Sequence, residues 1–442
     1  MRIRISSAKI VIFAYFIGII LAGSLLLKLP VSWKGAAPLR YVDALFTATS
    51  AVCVTGLITV NTAQYSRFGQ AIIILLIQTG GLGIITFATI YLAAPRKRIS
   101  LVNRSIIKDY YIEEVEYLPK EMIRHILTMT LAIEGLGALL LFIRFRRLPG
   151  GAFVAVFHAV SAFCNAGFST FPDSLEGYVG DPIVNFSIMG LILLGGIGFI
   201  VMKDVALCLR GRKRWLSYHS RMALGMSAVL VVGAALAFLA FEHGRALSHL
   251  APAEKAMAAL FQAVTPRTAG FDTVPQRTFS TPSVLVTVIL MFIGASPGST
   301  GGGVKTTTFL VVLLAAFRGA DDRDKLKVGT RSIPASAIIK AVGVLGKGLA
   351  IVVAGLVLLL LAESERPGAS LGLTPALFEV VSAFGTVGLS LGITGSLGDA
   401  SKAVLIATMF AGRVGLFAMS LPLSARRLER YADLPSTDVL IG

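Results

Sequence analysis

ALFTATSAVCVTGL, from Ala44 to Leu57, decides the fold because it recurs three more times: AVFHAVSAFCNAGF from Ala155, ALFQAVTPRTAGF from Ala259 and ALFEVVSAFGTVGL from Ala376. Each copy carries a phenylalanine in its first turn (Phe46, Phe157, Phe261, Phe378) and a glycine near its end (Gly56, Gly167, Gly270, Gly388). The Phe-to-Gly separations are 10, 10, 9 and 10 residues. Four copies at so constant a spacing mark an internal repeat. Too short to cross a bilayer, the motif reads as a brief amphipathic helix followed by a polar, glycine-containing tail.

Apolar runs flank every copy. The leading ones lie near 10–29, 124–143, 222–241 and 337–361, the trailing ones near 70–94, 183–208, 283–317 and 402–423. A helix needs about 20 such residues to span. Of 442 residues, 55% are hydrophobic and 15% charged, against about 25% charged in soluble domains. The lipid bilayer is therefore the expected solvent. The first run lacks a small-residue cleavage site and reads as a transmembrane helix, not a signal peptide.

The expected architecture is an all-α polytopic membrane protein. Four pseudo-symmetric helix–pore-loop–helix repeats, giving eight transmembrane helices, surround a central ion pore. Their expected bounds are 1–98, 99–214, 215–331 and 332–425, with a C-terminal tail at 426–442. A net charge of +17 would suit nucleic acid, but the basic residues cluster between apolar runs: Arg2 and Arg4; Arg96 to Arg98; Arg210, Arg212, Lys213 and Arg214; Arg323 to Arg331; Arg426, Arg427 and Arg430. That is the pattern of cytoplasmic loops, so nucleic-acid binding is set aside and both termini are expected in the cytoplasm. Arg144, Arg146 and Arg147 misfit, falling on the opposite face. Three cysteines build neither a disulfide framework nor a metal site. Cys53 and Cys164, at one repeat position, read as packing residues. No nucleophile–base spacing suggests an enzyme.

Non-helical backbone at membrane depth survives only when buried in protein or lining a water-filled cavity. Four equivalent loops around one axis satisfy that together, their carbonyls replacing the hydration shell of a cation and glycine permitting the backbone angles. The candidate filter is Val54-Thr55-Gly56-Leu57, Asn165-Ala166-Gly167-Phe168, Thr268-Ala269-Gly270-Phe271 and Thr386-Val387-Gly388-Leu389. A single such glycine can equally serve helix packing; packing alone does not explain an aligned set of four. Asp272, just beyond the third filter, is a candidate for attracting cations at the outer mouth.

One further stretch, GASPGSTGGGVKTTT from Gly294 to Thr308, mimics a phosphate-binding loop. Val304 separates Gly303 from Lys305, and membrane spans flank it, so the required context fails and no nucleotide is expected on this chain. In the repeat frame it aligns with TGGLGIITF, LGGIGFIVM and AGRVGLFAM, through Gly83, Gly198, Gly303 and Gly415. The third trailing helix is thus interrupted by a polar insertion at pore depth, a feature that is usually functional. Arg413 is a second candidate, because a charge near a membrane helix centre costs about 2.5–3.5 kcal/mol and needs a cavity or partner. Glu134, Lys203, Asp204 and Lys347 read as snorkelling or paired charges. His158 and Glu379 share one position with Thr47 and Gln262, and suit either the outer mouth or hydrogen bonding behind the filter.

SAFGTVGLS, TPRTAGF and SPGSTGGGVKTTT together resemble the Trk/Ktr/HKT superfamily of potassium transporters, along essentially the whole chain. With one apolar run before Gly56, the chain is most similar to the membrane subunits of bacterial Ktr systems. The resemblance implies K⁺ as transported substrate, one pore per chain of a homodimer, a cytoplasmic nucleotide-binding regulatory ring of the KtrA type, and the bacterial cytoplasmic (inner) membrane. It implies that glycine at all four filter positions favours potassium. It also implies that Gly298, Ser299, Thr300, Gly301, Gly302, Gly303 and Lys305 form a gating loop beneath the filter, near Arg413. A Na⁺- or H⁺-coupled symporter is the alternative, and a pump subunit a more distant one.

Overall fold

The computed structural model describes residues 7–93, 119–318, 325–328, 331–366 and 371–415. The basic residues at 2–4, 96–98, 323 and 426–430, the tail 426–442 and the end of the last apolar run lie outside the described residues.

In chain order the first unit holds α1 (Ser7–Lys28), α2 (Tyr41–Val52) and α3 (Arg67–Ala93). The second holds α4 (Pro119–Phe145), α5 (Gly151–Phe163), α6 (Pro182–Ile197) and α7 (Phe199–Leu209). The third holds α8 (Tyr218–Glu242), α9 (Pro252–Val264), α10 (Thr281–Phe292) and α11 (Thr306–Arg318). An antiparallel hairpin, β1 (Lys325–Val328) and β2 (Arg331–Pro334), pairs Leu326 with Ile333 where the sequence suggests only a basic loop. The fourth unit holds α12 (Ala335–Ser364), α13 (Leu373–Gly385) and α14 (Asp399–Phe410), which runs into a π-helical turn at Ala411–Gly415.

The chain is a helical membrane protein. Its four leading helices contain apolar spans long enough to cross a bilayer: Ile10–Lys28, Ile123–Phe145, Tyr218–Glu242 and Ala335–Ser364. Leu25, Leu131, Leu139, Leu236 and Leu349 project outward from them, as lipid-facing residues do. The repeated motifs form the short helices α2, α5, α9 and α13, whose phenylalanines Phe46, Phe157, Phe261 and Phe378 are all buried.

The trailing segments depart from simple spans. Among the described residues α3 is unbroken over its 27 residues, and α14 runs on into the π-helical turn. The sequence reads 183–208 as one run, yet α6 and α7 bend by 104° about Gly198. The cause is tertiary: Gly198 takes φ +91°, a β-carbon there would lie 2.5 Å from the Pro297 carbonyl oxygen, and Phe199 N–H donates to the Gly298 carbonyl. In the third unit residues 293–305 separate α10 from α11, as the sequence reading expects.

Glycine in the trailing segments seats the short helices. A β-carbon on Gly80, Gly195 or Gly412 would lie 1.9 Å from the carbonyl oxygen of Val52, Phe163 or Phe384 respectively. Each of these carbonyls belongs to the fourth residue before a repeat glycine, so the trailing segment leaves bare backbone where its own short helix ends.

Neighbouring units close into a ring. The trailing helix of one packs on the short helix of the next: α3 on α5, α6 on α9, α10 on α13, and α14 back on α2. Only the last junction joins the two ends of the chain. Across it the Lys402 ammonium lies 2.7 Å from the Asp43 carboxylate, with both side chains buried. Arg40 bridges Asp43 at 2.9 Å and Asp399 at 3.1 Å. The misfitting Arg144 is also accounted for, since it pairs with Asp181, which caps α6 through the N–H groups of Ile183 and Val184.

Stranding one member of a buried pair costs about 3–5 kcal/mol, and Lys402→Met would leave the Asp43 carboxylate with Arg40 alone, so a part of that cost is expected. Lys402→Met should therefore lower the thermal midpoint of the purified protein, whereas adding Asp43→Leu should recover part of the loss. Equal midpoints for wild type and Lys402→Met would show that the ring closes without this pair.

Candidate functional site

All four short helices deliver their chains to one place. After α2, α5, α9 and α13 the residue two before each glycine is left-handed: Val54 at φ +50°, Asn165 at +57°, Thr268 at +69° and Thr386 at +51°. Each glycine then has positive φ as well, +90° at Gly56, +69° at Gly167, +75° at Gly270 and +96° at Gly388. Left-handed backbone is a genuine outlier for β-branched residues and costs about 1–3 kcal/mol per position. Strain at four equivalent points, three of them Val or Thr, is a designed conformation. In an extended strand successive carbonyls alternate sides, and departures from that backbone let neighbouring carbonyls turn the same way.

The donors of these segments face backward. Thr55, Ala166, Ala269 and Val387 give their N–H groups to the carbonyls of Ser50, Ser161, Thr265 and Ser382 at 2.7–3.0 Å. Gly56 and Gly388 donate to the hydroxyls of Ser50 and Ser382 at 3.0 and 3.1 Å. The flanking Leu57, Phe168, Phe271 and Leu389 are buried.

The four glycines meet in a closed cycle. A β-carbon on Gly56 would lie 2.6 Å from the Ala166 carbonyl oxygen, one on Gly167 2.8 Å from that of Ala269, one on Gly270 2.2 Å from that of Val387, and one on Gly388 2.3 Å from that of Thr55. Each would also lie within 3.1 Å of the next glycine's Cα. A ring of close backbone carbonyls, each behind the C-terminal, partially negative end of a short helix, suits a desolvated cation.

Directly against this ring lies the 294–308 segment. Gly301 and Gly302 approach the side chains of Thr268 and Thr386 so closely that a β-carbon would sit 2.2 and 2.3 Å from the hydroxyl oxygens. Glycine at these two positions therefore answers to space; Gly298, at φ +70° with open room around it, answers to conformation. Ser299 donates to the Ser296 carbonyl at 2.6 Å. Thr300 donates through its hydroxyl to the Phe163 and Gly195 carbonyls, each at 3.1 Å. Gly303 takes φ +65° beside Gly294, and the Lys305 ammonium folds back onto the Gly301 carbonyl at 2.7 Å. Arg413, buried in the π-helical turn, donates to the carbonyl of Thr300 and to those of Gly80 and Gly81 at 3.2 Å. One guanidinium thus ties together the first, third and fourth units.

The remaining expected residues separate. Asp204 pairs with Lys213 at 2.5 Å and caps Ser217 N–H, not with Lys203. Glu134 is buried and accepts from Gln78 at 3.2 Å, close to Cys164 behind the second loop. Lys347 is exposed. Asp272 lies beyond the third loop, outside the spanning helices, and accepts from Gln276 at 2.7 Å. Burial pushes its carboxyl up to about 7 against that hydrogen bond, so it is only partly charged at neutral pH. Thr47, His158, Gln262 and Glu379 are all buried and hydrogen bonded to the chain beyond their glycines.

A family model described as TrkH, a cation transport protein, matches residues 3–429. The chain belongs to this family. It is 38% identical to the Ktr system potassium uptake protein B of Bacillus subtilis, over 98% of this chain and 96% of that protein. It is 36% identical to the potassium/sodium uptake protein NtpJ of Enterococcus hirae, over 100% and 98%. The fold resembles the crystal structure of the potassium transporter TrkH from Vibrio parahaemolyticus, with a TM-score of 0.75 at 21% identity, covering 93% of this chain and 84% of that one.

Alanine adds a β-carbon and no other group, so the backbone distances predict a ranking at the ring. Gly270→Ala and Gly388→Ala should lower the thermal midpoint most and Gly167→Ala least, each combining overlap with a strain of about 1–3 kcal/mol. Midpoints that ignore this order would mean the loops move apart readily.

Proposed function

We propose that this chain is the membrane subunit of a potassium uptake system, passing K⁺ down its gradient through the glycine ring, with the 294–308 segment as its gate. The carrying observation is the closed cycle of four left-handed glycine loops at the ends of four short helices. N–H groups tied back to their own short helices leave carbonyls as the groups available to a dehydrated ion. Potassium enters through the names of relatives that match nearly end to end, such as the Ktr system potassium uptake protein B. The Ktr-system name supports work with a regulatory partner; a homodimer, a nucleotide-binding ring of the KtrA type, and a place in the bacterial inner membrane with both termini cytoplasmic extend that reading from the resemblance in the sequence. Asp272 would add partial negative charge at the outer mouth.

Sodium remains the competing cargo or coupling ion, because the Enterococcus relative carries both ions in its name. The deciding experiment reconstitutes the chain in liposomes and compares K⁺, Rb⁺ and Na⁺ flux down imposed gradients. Downhill K⁺ and Rb⁺ flux well above Na⁺ is expected, and it should be lost in Gly56→Ser or Gly388→Ser. Flux that needs a sodium or proton gradient would replace the channel reading with a coupled symporter.

If the segment gates the path, loosening it raises flux. Arg413→Gln removes a ligand of Thr300, Gly80 and Gly81, and deletion of Gly301 to Gly303 removes the part packed on Thr268 and Thr386. Both variants should conduct several-fold more K⁺ per folded protein, by roughly the 0.5–1.5 kcal/mol of a net hydrogen bond or more. Unchanged or lower flux in folded protein would make the segment a structural tether.

A further inference from the structure

Four unlike side chains, Thr47, His158, Gln262 and Glu379, occupy one position of the repeat, directly after its phenylalanine. All are buried within the short helices. Each reaches past its own filter glycine to the segment beyond. Glu379 accepts from the Ser390 hydroxyl and from Thr394 at 3.1 and 3.2 Å. Gln262 and Gln276 exchange amide hydrogen bonds at 2.8 and 2.9 Å, and Gln276 also donates to Asp272. His158 places Nδ1 2.8 Å from the Val154 carbonyl, which can only accept, so in the neutral ring Nε2 accepts from the Ser169 hydroxyl at 2.9 Å. Thr47 takes a longer bond, 3.2 Å, from the Tyr65 hydroxyl.

Ser169, Asp272 and Ser390 each lie two residues after a filter glycine. In three units the short helix therefore holds both limbs of its loop: the inner limb through N–H bonds to its own C-terminal turn, the outer limb through this side chain, in the third unit by way of Gln276. The first unit differs. Its equivalent residue is Ile58, and its tether lands nine residues beyond Gly56.

We propose that Glu379, Gln262 and His158 are positioning residues that set ion discrimination, by fixing the outer limb of each loop at a spacing suited to the larger ion. A loop held only on its inner limb can relax inward around a smaller cation; one held at both ends cannot. Glu379 takes hydrogen bonds from two hydroxyls where Thr47 takes a single longer one, so the fourth unit should dominate and Thr47 should matter least. This rests on the filter reading above.

The test measures K⁺ and Na⁺ affinity of the purified full-length chain in detergent by isothermal titration calorimetry, which needs no open gate. Glu379→Ala should cut the K⁺/Na⁺ affinity ratio by about tenfold or more. Glu379→Gln, whose amide oxygen still accepts from both hydroxyls, should retain much more of it. Thr47→Val should change it by less than about threefold. Should Glu379→Ala not fold, the Ser390→Ala/Thr394→Val double variant carries the same expectation through the donors. A wild-type ratio in folded Glu379→Ala or in the double variant overturns the proposal, as does a Glu379→Gln ratio as low as that of Glu379→Ala. Gly388→Ser separates the two readings. If it too leaves the ratio unchanged, the filter assignment fails; if it alone lowers the ratio, only the tethers fail.

Discussion

At four points in this molecule no side chain fits, because the carbonyl of one loop occupies the space where the next loop's glycine would carry a β-carbon. The loops can meet only as bare backbone, and the rest of the chain is organised to bring them there. Short helices aim their C-terminal ends inward, trailing segments give up side chains at Gly80, Gly195 and Gly412 to seat those ends, and long helices face lipid. Three junctions of the ring are enforced by chain connectivity. The fourth depends on side chains: Lys402 on Asp43, Arg40 on Asp399, Arg413 on Gly80 and Gly81, and Phe13 against Phe410. Without a hydrophobic driving force between helices in lipid, the buried polar contacts among these, Lys402 on Asp43 and Arg413 on Gly80 and Gly81, do most to hold the ends together, the exposed Arg40–Asp399 pair least.

The same logic explains why the trailing segments are irregular where they pass the ring. A continuous helix satisfies its own backbone and has nothing to offer a neighbour. Breaking it frees polar groups, which membrane protein must then satisfy internally. The break at Gly198 exposes the N–H of Phe199 to the Gly298 carbonyl, and the interruption at 293–305 exposes carbonyls that Lys305 and Arg413 take up. The two breaks answer each other. An insertion in the third unit therefore required a kink in the second, and the two form one device across a unit boundary.

This also marks where sequence reading succeeds and where it stops. The phenylalanine and glycine of each repeat, the long leading runs and the interruption after Gly294 were legible, because each follows from local pattern: constant spacing, apolar length, a cluster of glycines. The kink at Gly198 was not, since LGGIGFIVM is apolar throughout and its bend is imposed from the third unit. Nor was the pairing of Asp43 with Lys402, residues 359 positions apart, or that of Asp204 with Lys213 rather than its neighbour Lys203. The left-handed residues Val54, Asn165, Thr268 and Thr386 share a position but carry three different side chains, so only the backbone reveals them. Ser50, Ser161 and Ser382, six residues before their glycines, share one letter, and in two of them, Ser50 and Ser382, the hydroxyl holds the glycine N–H.

A ring built from four identical chains must carry one side chain four times at every position, and any defect is multiplied. Four unequal copies in one chain escape that constraint. Three residues before the glycine stand Cys53, Cys164, Arg267 and Gly385, and after the phenylalanine stand Thr47, His158, Gln262 and Glu379. Arg267 reaches Ser227 on α8, while Cys164 points toward Gln78 on α3. Such divergence is tolerable because the loops meet one another through backbone, which every residue supplies alike. Conversely, the four glycines did not diverge, because there the only admissible side chain is none, and neither did the buried phenylalanines that seat the short helices. Uniform backbone where the loops meet and individual side chains around it is the arrangement expected when the geometry of that meeting is fixed and its support is free to vary unit by unit.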